Sequence, residues 1–451
     1  MLHATCYMLH VPCFCREAND VTALLLLLQL PLEDRLNALE CHFTWDLDPS
    51  QSKLYRLRDN LEDIGTEEGY SWLGHIYNLQ GYVHYRLGSG DDAQRFFGMA
   101  AEAFRQMRNT VSDEGPWLVI NYGNLAWLHY ERGEQAESRD YLSQVDRLIN
   151  EYPSASEIYA EKAWTLMHFG AGRRQQAAEY FQRAIRMQPD MVEWHTSYAL
   201  TLFYQQRDQE LEDDVLEKMR IARMHDPENL YLAALYLVAR ARKGQNVQVE
   251  ARELAPGVLR KPVSSYSGIK PFLRLYRMHV SMDEAIDLAE DALGRHPDER
   301  YLKLCAALSY KMKIFLQVDS PLEESMVNRA ISLCTEVISL YPQSSLKMKV
   351  ALADIHAKSG HIVEADQLYE EMLEGNPEPE DAQMLYNCYA KYLHFVRQEI
   401  HRSIDYHMRA AEIPVPSKYR NNSIRTLRRV LERQRNRMCR EIQEFLDNLQ
   451  L

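Results

Sequence analysis

Apolar and small residues recur at spacings of four and three along most of this chain, the period of a helix that buries one face. Within that period one quartet repeats: a small residue, a second residue four on, a small or apolar one three further, and Pro five after that. Ala177, Phe181, Ala184 and Pro189 fit it, as do Ala285, Ala289, Ala292 and Pro297. Ala330, Cys334, Val337 and Pro342 keep the same offsets, and so do Ala365, Tyr369, Met372 and Pro377. Each quartet predicts the second helix of a pair. Small residues let it approach the first helix closely, the middle position fills the contact, and Pro stops the helix. Ala93, Phe97 and Ala100 repeat the frame without the Pro, preceded by Gly81 and Gly88 where a first helix and a turn belong. Weaker copies surround Ser138, Ala222 with Pro227, and Ser403 with Ala410.

Helix pairs of this kind cannot bury their apolar faces alone, so they stack side by side into a curved solenoid with a concave surface. The predicted fold is all-α: a superhelical solenoid of tetratricopeptide-type helix pairs. An acidic connection from Asp208 to Asp214 and a Gly/Pro/Ser-containing stretch from Pro256 to Lys270 break the regular spacing and suggest subdomains. The reading divides the chain into a poorly ordered N-terminal extension (1–31), an N-terminal repeat subdomain (32–150), a central repeat subdomain carrying the groove (151–417) and a basic C-terminal helix (418–451). From Lys418 to Arg440 that segment carries Lys418, Arg420, Arg425, Arg428, Arg429, Arg433, Arg435, Arg437 and Arg440 against Glu432.

Composition narrows the function classes. A net charge of -13 argues against a protein that coats nucleic acid over its whole surface, but a local basic pocket is compatible with it. The eight Cys residues are scattered and form no Cys-x-x-Cys pair, so reduced thiols are expected. The run Ala23–Leu30 is apolar, yet Glu17 and Asp20 precede it, and it is far short of the ~20 residues that span a bilayer. It predicts the start of the first buried helix in a cytoplasmic protein without a membrane segment. Gly88-Ser89-Gly90 has no Lys-Ser/Thr behind it and is a helix-pair turn, not a phosphate loop. No His-Glu-x-x-His or Gly-x-Ser-x-Gly occurs, so no enzyme, metal or cofactor is expected.

Other runs carry a family resemblance. Cys41-His42-Phe43-Thr44-Trp45 is distinctive, and Tyr77–Val83, Gly123–Trp127, Trp164–Gly170 and Ala285–Pro297 follow it in order. Together they resemble the interferon-induced proteins with tetratricopeptide repeats, from about Leu32 to about Ala411. The resemblance implies a clamp-shaped superhelix with a basic central tunnel. That tunnel would take the 5′ end of single-stranded RNA, bearing a triphosphate or an incompletely methylated cap. It implies a cytosolic antiviral effector that blocks translation, is not an enzyme, and has related family members or other proteins as further partners.

Lys270, Arg274 and Arg277 stand four and three apart, on one face of a first helix. Three cations in a stripe repel each other unless an anion sits in front of them or acids balance them as a solvated face. By resemblance they match the family's phosphate-contacting ladder. Trp164 and His168 share a helix face; by resemblance Trp164 flanks the terminal base and His168 replaces a Lys, while core packing is the alternative for Trp164. Tyr204 replaces an Arg, so two family cations are missing. Asn60, Ile64, Leu304 and Cys305 also depart from the family's polar groups. Arg173 and Arg174, in the turn after His168, are candidates to compensate or are an exposed loop. The competing function is a protein-interaction scaffold whose groove binds a peptide or helix.

Overall fold

The helical stripes become twenty-two α-helices in the computed structural model, which describes residues 30–64, 72–106, 114–152, 156–207, 209–317, 321–434 and 436–449. Cys6, Cys13, Cys15, Asp208, Arg435 and all of Ala23–Leu30 except Leu30 lie outside the described residues. Helices α1 (Leu32–Asn37) and α2 (Gln51–Glu62) come first. Pairs follow: α3 (Leu73–Arg86) with α4 (Gly90–Gln106), and α5 (Glu114–Glu131) with α6 (Gln135–Glu151). Next are α7 (Ser156–His168) with α8 (Ala171–Met187), and α9 (Val192–Gln205) with α10 (Asp213–His225). Helix α11 (Leu230–Arg242) packs on both α12 (Gln248–Arg260) and α13 (Ile269–His279), and α13 pairs with α14 (Met282–Arg295). Then come α15 (Arg300–Leu316) with α16 (Glu324–Leu340), and α17 (Leu346–Lys358) with α18 (Ile362–Glu374). The last are α19 (Pro379–Tyr392) with α20 (Ile400–Glu412), then α21 (Lys418–Arg433) and α22 (Cys439–Asn448). Among the described residues no helix is long and apolar enough to cross a membrane.

Every quartet lands on a second helix with its side chains in the core. Ala177, Phe181 and Ala184 of α8 are fully buried, as are Ala93, Phe97 and Ala100 of α4. The Phe97 ring presses against α3 at Gly81, where a Cβ would stand 2.5 Å from it. Only a missing side chain permits that approach. Burying such a Phe is worth roughly 1.5–3 kcal/mol, and Phe181 is fully buried at the same quartet position in α8. The cores merge accordingly: one runs from Cys41 to Trp194, a second from Ala199 to Ile355.

Two connections differ from expectation. The chain does not break at Pro256: α12 continues through it to Arg260, leaving only 261–268 between α12 and α13. Pro256 forfeits one backbone donor, but Ala251, Ala255 and Val258 hold the helix to the core. The single basic helix predicted for Lys418–Arg440 is two helices, because Gln434 turns left-handed (φ 46°) and ends α21. Ser423, Ile424 and Leu427 bury one face of α21, so it is a packed element with a basic outer side.

Helix α2 belongs to no pair. It bridges the N-terminal and C-terminal repeats. The N–H groups of Gln51 and Ser52 at its N-terminus donate to the Glu378 carboxylate at 3.0 and 2.8 Å. Arg56 donates to both Asp381 oxygens at 2.7 and 2.9 Å. Just beyond its C-terminus, buried Asp63 accepts from Arg300 (2.8 Å) and Tyr341 (2.9 Å). The spiral is therefore tied across its hollow.

Candidate functional site

The Cys-His-Phe-Thr-Trp run is an internal plug. His42 is buried; its Nδ1 accepts from Asn124 on α5 (3.1 Å), and its Nε2–H faces the Thr165 hydroxyl on α7 (3.1 Å). Burial pushes its pKa down to about 3, with the Asn124 bond opposing. The run orders α5 against α7 and sets the wall on which Trp164 and His168 stand.

The ladder faces other first helices. Lys270 lies over the Tyr301 ring of α15 (5.4 Å), and Arg277 donates to Ser309 of α15 at 3.0 Å. Arg274 lies near enough to Tyr204 of α9 for its charge to act on that phenol. All three are half-buried. Burial lowers the Arg277 pKa, and the Arg274 charge lowers it further, against Cys305. Among the described residues no carboxylate stands within ion-pair distance of Lys270 or Arg277. Lys270 and Arg277 thus stand near one another without an acid at ion-pair range among the described residues. An arrangement of this kind attracts an anion.

Arg174 joins them, donating to the Tyr204 carbonyl (2.9 Å) and lying over its ring (5.9 Å). Arg173 does not: it donates to the carbonyl and carboxylate of Asp46 at 2.8 and 3.1 Å, anchoring the loop before α2. Tyr204 is half-buried, its hydroxyl bonded to that of Tyr231, and burial raises its pKa. Neutral at pH 7, it supplies no charge.

Trp164 is a core side chain, 2% exposed, with Trp72 stacked on it at 5.8 Å and 13°. The expected stacking face is thus taken, and core packing is the reading the structure has. His168 lies 4.4 Å from Trp164 ring to ring; its Nδ1–H donates to the Trp164 carbonyl (2.7 Å), which leaves Nε2 to accept from the Tyr266 hydroxyl (3.4 Å). Burial pushes its pKa down to about 4, against that backbone bond, so it is a neutral wall. Ile64 and Cys305 are buried as well, whereas Asn60 is exposed on α2.

Two cations escaped the sequence reading, and a third, Lys418, was read only as part of the basic C-terminal helix. Lys347 at the start of α17, Arg207 just past α9 and Lys418 at the start of α21 all reach solvent. Yet the protein around Lys347 holds its pKa down, and the charges of Arg56, Lys418 and Arg207 add to this against Asp381. Lys347 therefore stands close to Arg56, Arg207 and Lys418, a second group of cations. Arg207 also acts on Tyr204, linking this group to the ladder. Neither Lys347 nor Arg207 belongs to a four-and-three stripe of cations like that of Lys270, so spacing alone gave no signal for them.

The tetratricopeptide-repeat family model matches residues 166–227. Human antiviral innate immune response effector IFIT1 is 22% identical over 441 residues, covering 92% of this chain and 90% of that protein. Human interferon-induced protein with tetratricopeptide repeats 2 is 22% identical over 388 residues, 80% of this chain and 79% of that one. The family resemblance drawn from residues 41–45 and the runs after them is borne out. The fold matches the solved human IFIT1 dimer with m7Gppp-AAAA at a TM-score of 0.69, with 21% identity over 93% of this chain and 96% of that one. It matches human IFIT1 dimer with PPP-AAAA at 0.66 over the same shares. The all-α solenoid of tetratricopeptide-type pairs is thereby established.

Proposed function

We propose that this chain binds the phosphorylated 5′ end of single-stranded RNA in the hollow lined by its first helices. On this reading Lys270, Arg274 and Arg277 neutralise phosphates, Arg174 supports the same end, and Arg207, Lys347 and Lys418 continue the path. Acting in the cytoplasm as an innate-immune effector, it would withhold such RNA from translation. The observation that carries the proposal is Arg277: a half-buried guanidinium beside a second cation, with no acid in ion-pair range among the described residues. Similarity to human IFIT1, whose solved structures hold m7Gppp-AAAA and PPP-AAAA, supports the choice of anion.

The test is binding of one RNA oligomer with a 5′-triphosphate or a 5′-hydroxyl at two salt concentrations. Arg274→Glu should weaken triphosphate binding by more than about tenfold, the size of a lost charge-assisted hydrogen bond. It should also flatten the salt slope by about 0.7 per phosphate contact removed. Equal, feeble binding of both oligomers would favour the peptide-binding scaffold, a reading that the neutral Tyr204 and His168 would then suit.

A further inference from the structure

Resting on the RNA-end reading, we infer that the groove closes in an aromatic wall set by Tyr266, which admits a 5′-triphosphate and shuts out a capping nucleoside. The wall is a chain of ring contacts beside the cations. Trp72 covers Trp164, His168 stands against Trp164 at 4.4 Å, and the Tyr266 hydroxyl reaches His168 Nε2 at 3.4 Å. Tyr266 meets Tyr231 edge-on at 5.5 Å and 90°, and the Tyr231 hydroxyl bonds that of Tyr204. Tyr204 is where Arg174 and Arg274 act, so phosphates held there would have the wall directly beyond them.

Tyr266 does not ride on a helix. It sits in the 261–268 connector, which is pinned on both sides. The Ser265 N–H donates to the Asp63 carbonyl at 2.7 Å, and the Ser267 hydroxyl to the Ser264 carbonyl at 2.7 Å. Gly268 then turns left-handed (φ 88°), with a Cβ there only 2.9 Å from the Leu230 carbonyl oxygen. The backbone therefore holds the ring in place. A capped end needs a planar base seated against an exposed aromatic face past the phosphates. Trp164 has no such face free, and Tyr266 fills the approach to it. A triphosphate asks only for cations and room for its oxygens.

The experiment uses the full chain and one RNA oligomer bearing a 5′-triphosphate, an m7Gppp cap or a 5′-hydroxyl. Wild type should bind the triphosphate at least about tenfold more tightly than the cap, and Tyr266→Ala should recover about tenfold in cap binding by baring the His168 ring as a stacking face, since Trp72 still covers Trp164. Triphosphate binding by that variant should stay within about twofold, since no charge is touched. Tyr266→Phe, which keeps the ring, should exclude the cap as wild type does. Cap binding as tight as triphosphate binding by wild type would overturn the wall and leave the RNA-end reading standing. A Tyr266→Ala variant that still rejects the cap would overturn the role of Tyr266. Failure to bind any of the three RNAs would overturn the RNA-end reading and the wall with it. Should both variants fail to fold, the wild-type comparison decides.

Discussion

At the scale of single residues, burial decides what each titratable group can contribute. Glu161 lies in the core of α7, accepting from Asn78 at 2.8 Å, and burial raises its pKa to about 8 against that bond. The folded value is above the unfolded one, so this contribution is fully present below pH ~4.5 and is lost as pH rises through 8. Wild type should therefore lose about 2–3 kcal/mol between pH 6 and 9 through this group, at ~1.4 kcal/mol per unit. Glu161→Gln, which cannot ionise, should flatten that decline in thermal melts; an unchanged slope would show that Glu161 is not its source. The sequence could show that a His and a Tyr stand where cations are expected. It could not show that Tyr266 covers His168, because the two are 98 positions apart and Tyr266 sits in a connector without periodicity. Lys270, Arg274 and Arg277 were legible because helical spacing alone puts them on one stripe.

At the scale of elements, α2 is held from outside. Glu378 accepts its first free N–H groups; burial pushes its pKa up, but the bonds from Ser52, Gln51 and Ser50 together bring it below the ordinary carboxylate value. Glu378→Ala should cost about 1 kcal/mol, as loss of a helix cap does. Arg56→Ala, which strands a largely buried Asp381, should cost about 1–3 kcal/mol. Hydrogen exchange should then speed up in α2 while α3–α6 stay protected; unaltered exchange in α2 would mean that other contacts hold it. The quartets announced the second helices because their offsets are local. Nothing local announced the partners of Gln51, Ser52 and Arg56 in α2, which lie 325 to 327 positions away.

For the molecule as a whole, acid should be the weak direction. His42 and His168 have pKa values of about 3 and 4, His407 is held at about 4 by burial with Lys391 and His394 adding, and burial holds His75 well below its ordinary value. All are depressed relative to the unfolded chain, so their stabilisation is complete above pH ~6.5 and fades towards pH 4. A melt series from pH 7 to 4.5 should show a steep drop in Tm; a flat profile would mean these imidazoles are not neutral in the fold.

The crossing of α2 also bears on how the chain unravels. A repeat array that touches only its neighbours can fray inward from either terminus, one unit at a time. Here the loss of the repeats around Glu378 and Asp381 would strip partners from a helix near the other terminus. Contacts of such long sequence separation slow folding. They also make the hoop, rather than the single repeat, the unit that opens. Denaturation should accordingly come closer to one sharp transition than to the staggered melting of an open stack.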